Sequence, residues 1–95
     1  MRVISRRRLQ DFSGKYPQAK KNLDAWYHVV KHATWASLTE VRQVYPAADF
    51  VKGLTVFDIS GNHYRLITHI LYKRQIVYIR DVLTHAEYTK GKWKP

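Results

Sequence analysis

Apolar positions recur every three to four residues in the first half of the chain and every second residue in the second half. Ala19, Leu23, Trp26, Val30 and Ala33 follow a 4-3-4-3 spacing, which predicts an amphipathic helix over about 17–33 with Pro17 at its first position. Leu9 and Phe12 predict a shorter helix from Arg6 to about Gly14, preceded by a strand at Val3-Ile4 and capped by Ser5. Ser37 and Glu40 form a capping-box pattern that opens a third, short helix carrying Val41, Val44 and Tyr45 and ending before Pro46. Residues 47–50 read as a connection.

From Leu54 the period is two. Strands are expected at 54–59, 64–72 and 76–82, with a turn at Ser60-Gly61-Asn62 and a hairpin loop at Lys73-Arg74-Gln75. Alternation puts Leu66, Thr68, Ile70 and Tyr72 on one face and Arg65, Ile67, His69 and Leu71 on the other. In the last strand it groups Ile76, Tyr78, Arg80 and Val82 against Val77, Ile79, Asp81 and Leu83. The expectation is an α+β fold, a small antiparallel sheet with N-terminal helices packed on one face, forming a single domain over 1–95. Neither face of the hairpin is cleanly polar, so helices cover one and the other is apolar punctuated by charge, as a binding cleft would be.

Charge changes this picture most. Seventeen Lys and Arg against seven Asp and Glu give +10, and each half of the chain carries +5, so the excess is not a detachable tail. A small folded domain with such a field attracts polyanions. With no cysteine there is no disulfide and no zinc–thiolate site. No apolar run reaches the roughly 18–20 residues of a membrane helix, and the basic start is not a secretory signal. His28 and His32 have the i, i+4 spacing of a helical metal pair, but no third ligand accompanies them and an exposed polar face explains them better.

The stretch 61–88 carries the chemistry. Arg65 and Arg80 lie inside strands, where a guanidinium either binds a phosphate through its planar fork or pairs with Asp58 or Asp81. Thr84 and Glu87 form a second capping box, which makes Glu87 structural, and Leu83 with Tyr88 has the spacing of a hydrophobic staple. His85 has no such local explanation; imidazole is the side-chain type that exchanges protons nearest neutral pH. The tail 89–95, with Lys90, Lys92, Lys94 and Trp93, reads as a basic arm.

Ile4-Ser5-Arg6, Ala25-Trp26-Tyr27, Tyr45-Pro46-x-Ala48-Asp49-Phe50, Gly61-Asn62-x-Tyr64-Arg65-Leu66-Ile67, Tyr78-Ile79-Arg80 and Thr84-His85-Ala86-Glu87-Tyr88 together resemble the HigB-family toxins of type II toxin–antitoxin systems, relatives of RelE. The resemblance spans nearly the whole chain. It implies a cytoplasmic endoribonuclease that cleaves mRNA, usually on the ribosome, without a metal or other cofactor, and a helix-turn-helix antitoxin partner. Within it, Arg65 and Arg80 match the family's strand arginines, and His85 and Tyr88 match its terminal catalytic element. The family's additional sheet lysines have no counterpart on these strands; Lys73, Arg74, Lys90 and Lys92 are candidates for RNA binding by charge. A second possibility from the residues themselves is a non-catalytic RNA- or ribosome-binding domain, in which the same arginines hold phosphate and the tyrosines stack on bases.

Overall fold

A computed structural model describes residues 1–94. The chain forms β1 (Arg2–Ile4), α1 (Arg7–Lys15), a 3-10 turn (Pro17–Ala19), α2 (Lys20–His32), α3 (Leu38–Val44), β2 (Asp49–Val51), β3 (Leu54–Ile59), β4 (Tyr64–Leu71), β5 (Ile76–Thr84) and α4 (His85–Lys90). The five strands make one sheet in the order β1-β5-β4-β3-β2. It is antiparallel except at one edge, where β1 runs parallel to β5 in register Arg2 to Ile76. β2, within the segment expected to be a connection, is a three-residue strand on the opposite edge.

The core lies between the sheet and the first three helices. Leu9 from α1, Leu23, Trp26 and Val30 from α2 and Val41 from α3 are buried against Phe57, Ile59, Tyr64, Leu66, Ile70, Val77, Ile79 and Val82. The α2 stripe is thus the face its periodicity predicted, and Trp26 is 1% exposed, edge-on to Phe57 with ring centroids 5.4 Å apart. Pro17 opens a 3-10 turn that leads into α2. Ser37 caps α3 as expected, its hydroxyl accepting from the Glu40 N–H.

Ser5 does not cap α1. It takes a left-handed backbone, φ 70°, and Arg6 precedes the helix without a side-chain cap. The kink is needed because the chain must leave an edge strand and turn at once into a helix lying on the sheet.

Last-strand faces also differ from simple alternation. The pairing Ile67 to Asp81 and Thr68 to Ile79 leaves Arg80 without a partner, a bulge in β5. One extra residue inverts the alternation beyond it. Val82 therefore joins Val77 and Ile79 in the main core, while Leu83 turns to the other face. There Leu54, Val56, Ile67 and Leu83 form a second, smaller cluster, with Val51, Tyr88 and Trp93 packed on it. α1, α2 and α3 cover one face of the sheet; α4 and the segment after it cover part of the other.

Candidate functional site

The register of β3 and β4 builds the site's floor. Asp58 stands directly opposite Arg65 on neighbouring antiparallel strands, so the two side chains project to the same face. Arg65 Nε lies 3.1 Å from the Asp58 carboxylate. Its other nitrogens donate to the carbonyls of Asn62 (3.2 Å) and Tyr64 (3.3 Å) and to the Asn62 side-chain oxygen. Arg65 is only 9% exposed. A buried guanidinium needs this many acceptors to offset its desolvation. The ion pair foreseen as the non-catalytic alternative is therefore present, with Asp58 as partner.

α4 places Tyr88 over this floor. Thr84 accepts from the Glu87 N–H and the Glu87 carboxylate accepts from the Thr84 N–H, a complete capping box. The Thr84 backbone hydrogen bond is the main cause holding the Glu87 carboxyl below its usual range; burial opposes it, and Lys15 and Lys90 assist. Tyr88 packs on the Leu83 cluster, as a staple should, and its ring centre lies 5.2 Å from the Arg65 guanidinium carbon. Burial pushes the Tyr88 hydroxyl above its usual range, Asp49 and Asp58 add to the shift, and Arg65 opposes it. At neutral pH that hydroxyl is a hydrogen-bond donor rather than a base. Arg65 and Tyr88 border an open cleft of about 400 Å³ together with Arg42, Asp49, Val56 and Asp58.

His85 is the first residue of α4 and is exposed. Its backbone N–H donates to the His63 carbonyl (3.0 Å), which ties α4 to the β3–β4 turn, and its ring Nδ1 lies 3.5 Å from the Thr89 hydroxyl. Arg80 is exposed at the bulge, between Tyr78 and Asp81, whose partners His69 and Ile67 both belong to the face opposite α1, α2 and α3. It forms no ion pair among the described residues, and Asp81 instead accepts from the Val82 N–H. Lys90 and Lys92 rim a second cleft with Asp81, Leu83, Glu87 and Trp93.

Lys73 and Arg74 sit elsewhere. The β4–β5 turn that carries them is at the far end of the hairpin from Thr84 and His85, eight residues of strand away. At ~3.3 Å per residue that is about 25 Å. They cannot share one phosphate with Arg65 or Tyr88.

Three residues of this neighbourhood were not among the candidate site residues read from the sequence. Asp49 and Arg42 reach the cleft through the short β2 strand and the end of α3. Trp93 is folded back rather than extended: Gly91 adopts φ 72°, and the indole stacks on Tyr88 with centroids 4.9 Å apart and planes 13° from parallel. The tail is thus not a free arm as far as Lys94; Pro95 lies outside the described residues. Only the combination of Gly91, which favours a left-handed C-cap, with an aromatic two residues on could have hinted at it.

The chain is thus a basic α+β domain with a cleft between α3, β2, β3, β4 and α4. A family model for the HigB toxin, the RelE-like toxic component of a toxin-antitoxin system, matches residues 19–91, and the chain belongs to this family. Among curated relatives it is 33% identical to the mRNA interferase toxin HigB of Escherichia coli K12 over 97% of this chain and 99% of that protein. The mRNA interferase HigB of Shigella flexneri shows the same identity and coverage. The mRNA interferase HigB of Escherichia coli O6:H1 is 29% identical over 95% of this chain and 90% of that protein.

Proposed function

We propose that this protein is a toxin endoribonuclease that cleaves mRNA engaged on the ribosome and is neutralised by a cognate helix-turn-helix antitoxin. The observation that carries the proposal is its near full-length similarity to proteins named as mRNA interferases. With mRNA as substrate, the setting is the cytoplasm. No helix among the described residues is long and apolar enough to cross a membrane.

The reaction needs no group beyond the chain. The ribose 2′-oxygen attacks the adjacent phosphorus as its proton leaves to a base. The P–O5′ bond breaks, and an acid returns a proton to the 5′-oxygen, leaving a cyclic phosphate. Cations offset the charge that gathers on the phosphorane oxygens. Arg80, exposed and without an ion-pair partner among the described residues, suits that electrostatic role. His85 is assigned the proton transfer, since its ring is exposed at the start of α4 and the Thr89 hydroxyl beside it donates to the His85 carbonyl (2.9 Å). Arg65, with most of its donors engaged, supports Tyr88 from below. Tyr88 presents a protonated hydroxyl to the substrate. Lys90 and Lys92 meet neighbouring phosphates, whereas Lys73 and Arg74 contact RNA only at a separate point.

A non-catalytic RNA-binding domain is the second reading. Arg65 speaks for it only by weakening the catalytic reading, because a guanidinium committed to Asp58 and Asn62 is withdrawn from the reaction site. Single-turnover cleavage of mRNA on programmed ribosomes separates the two. His85→Ala should lower the cleavage rate by about 10²–10⁴-fold, the size of a general acid–base contribution, with ribosome binding unchanged. An unchanged rate removes His85 from the mechanism, and RNA binding without cleavage by the unaltered protein favours the platform.

A further inference from the structure

Tyr88 is held by a segment that the reaction scheme does not use. After α4 the chain reverses at Gly91, whose N–H donates to the Tyr88 carbonyl (3.0 Å), and Lys94 N–H closes the turn on the Gly91 carbonyl (3.2 Å). This reversal brings Trp93 back over the helix. Its indole N–H donates to the same Tyr88 carbonyl, 3.0 Å away, while its ring lies flat on the Tyr88 ring. Trp93 thus grips one residue twice, once through the backbone and once through the side chain. Arg65, Tyr88, Trp93 and Lys94 follow one another as a stack, with a cation at each end.

This grip has work to do. α4 has six residues, too few to hold a rigid helix by its own hydrogen bonds. The Tyr88 hydroxyl has no hydrogen bond to another side chain among the described residues, so packing alone aims it. Two surfaces supply that packing: the sheet side through Arg65 and Leu83, and Trp93.

We propose that the C-terminal turn is a strap and that Trp93 is a positioning residue for the cleavage reaction, acting by fixing the orientation of Tyr88. The inference rests on the assignment of the Tyr88 cleft to RNA cleavage. A stack of two aromatic rings adds rigidity that a lone Tyr on a one-and-a-half-turn helix lacks, and misplacing a reacting group by about 1 Å can cost about a hundredfold in rate.

The competing explanation is that Trp93 only shields Leu83 and Ile67 from water. Full-length Trp93→Ala, Trp93→Phe and Tyr88→Ala proteins, with Trp93→Ala also placed on Tyr88→Ala, separate the two. The readouts are kcat and KM for mRNA cleavage and the thermal unfolding midpoint. A strap predicts that Trp93→Ala lowers kcat by about tenfold to a hundredfold with KM and the midpoint nearly unchanged. Trp93→Phe, which keeps the stack, should recover most of that loss. On the Tyr88→Ala background, removing Trp93 should cost nothing further. Three results overturn the strap: full activity in Trp93→Ala, losses that add in the double variant, or a lower midpoint that accounts for the lost rate. No cleavage by the unaltered protein would overturn the functional assignment itself. Cleavage that is merely indifferent to Trp93 would overturn the strap alone.

Discussion

Arg65 and Arg80 look equivalent in the sequence, each a guanidinium inside a strand. Burial separates them. Arg65 is committed to Asp58, the Asn62 side chain and two carbonyls, so offering it to a phosphate would mean breaking those bonds. Arg80 is exposed at a bulge and has no ion-pair partner among the described residues. Removing Arg65 empties a buried site, takes the ion-pair partner from Asp58 and frees the β3–β4 turn; removing Arg80 breaks no ion pair among the described residues. Arg80→Ala should therefore fold as the parent does, lose both RNA affinity and cleavage, and reduce the slope of log affinity against log salt by about 0.7, one phosphate contact on a single strand. Arg65→Ala should show its main loss in thermal stability. Salt titrations of binding and melting curves on the two variants check this, and an Arg80→Ala protein with an unaltered slope would remove Arg80 from the phosphate path. That the arginines were candidates was legible from their residue type and strand position. Which of them is free was not, because it depends on the Asp58–Arg65 register and on one unpaired residue.

Elements whose periodicity runs over many residues were legible; those that depend on a single residue were not. The stripe on α2 and the β3, β4 and β5 strands followed from spacing alone; the Thr-x-x-Glu box of α4 formed complete, whereas at α3 Ser37 caps the helix but the Glu40 carboxylate accepts from the Ala36 N–H instead of closing the box. β2 is too short for alternation to register, and the β5 bulge is invisible to it, since alternation counts residues and cannot know that one is skipped. The Ser5 kink and the return of Trp93 both depend on tertiary packing. Trp26 gives the α2–sheet contact its most direct check. Its ring is buried among Leu23, Val30 and Phe57, and its indole N–H has no hydrogen-bond partner among the described residues, so its contribution is packing. Trp26→Ala should cost about 3–5 kcal/mol, read by denaturant unfolding. A loss under about 1 kcal/mol would mean the helix packs differently.

At the scale of the molecule, +10 on a 95-residue chain does not sit on one strip. Lys73 and Arg74 lie at one end of the hairpin, Lys90 and Lys92 at the other, and Arg6, Arg7 and Arg8 on the side of the helices. A field spread this widely suits a polyanionic partner that meets several faces of the protein. Polyanion affinity was readable from charge, and the family from motifs along nearly the whole chain. A cleft on the face away from the N-terminal helices was anticipated, with Arg65 and Tyr88 named; that Arg42, Asp49 and Val56 complete it was not, because its residues come from α3, β2, β3, β4 and α4 and meet only in the fold. Whether this surface cuts mRNA is decided by inducing the protein in cells and mapping the 5′ ends of all mRNAs within minutes. Abundant new 5′ ends should appear inside coding sequences, lost when His85 and Arg80 are each changed to Ala and suppressed when the antitoxin is coexpressed. An unchanged set of 5′ ends on induction of the unaltered protein, with RNA still bound to it, would leave a binding domain and no ribonuclease.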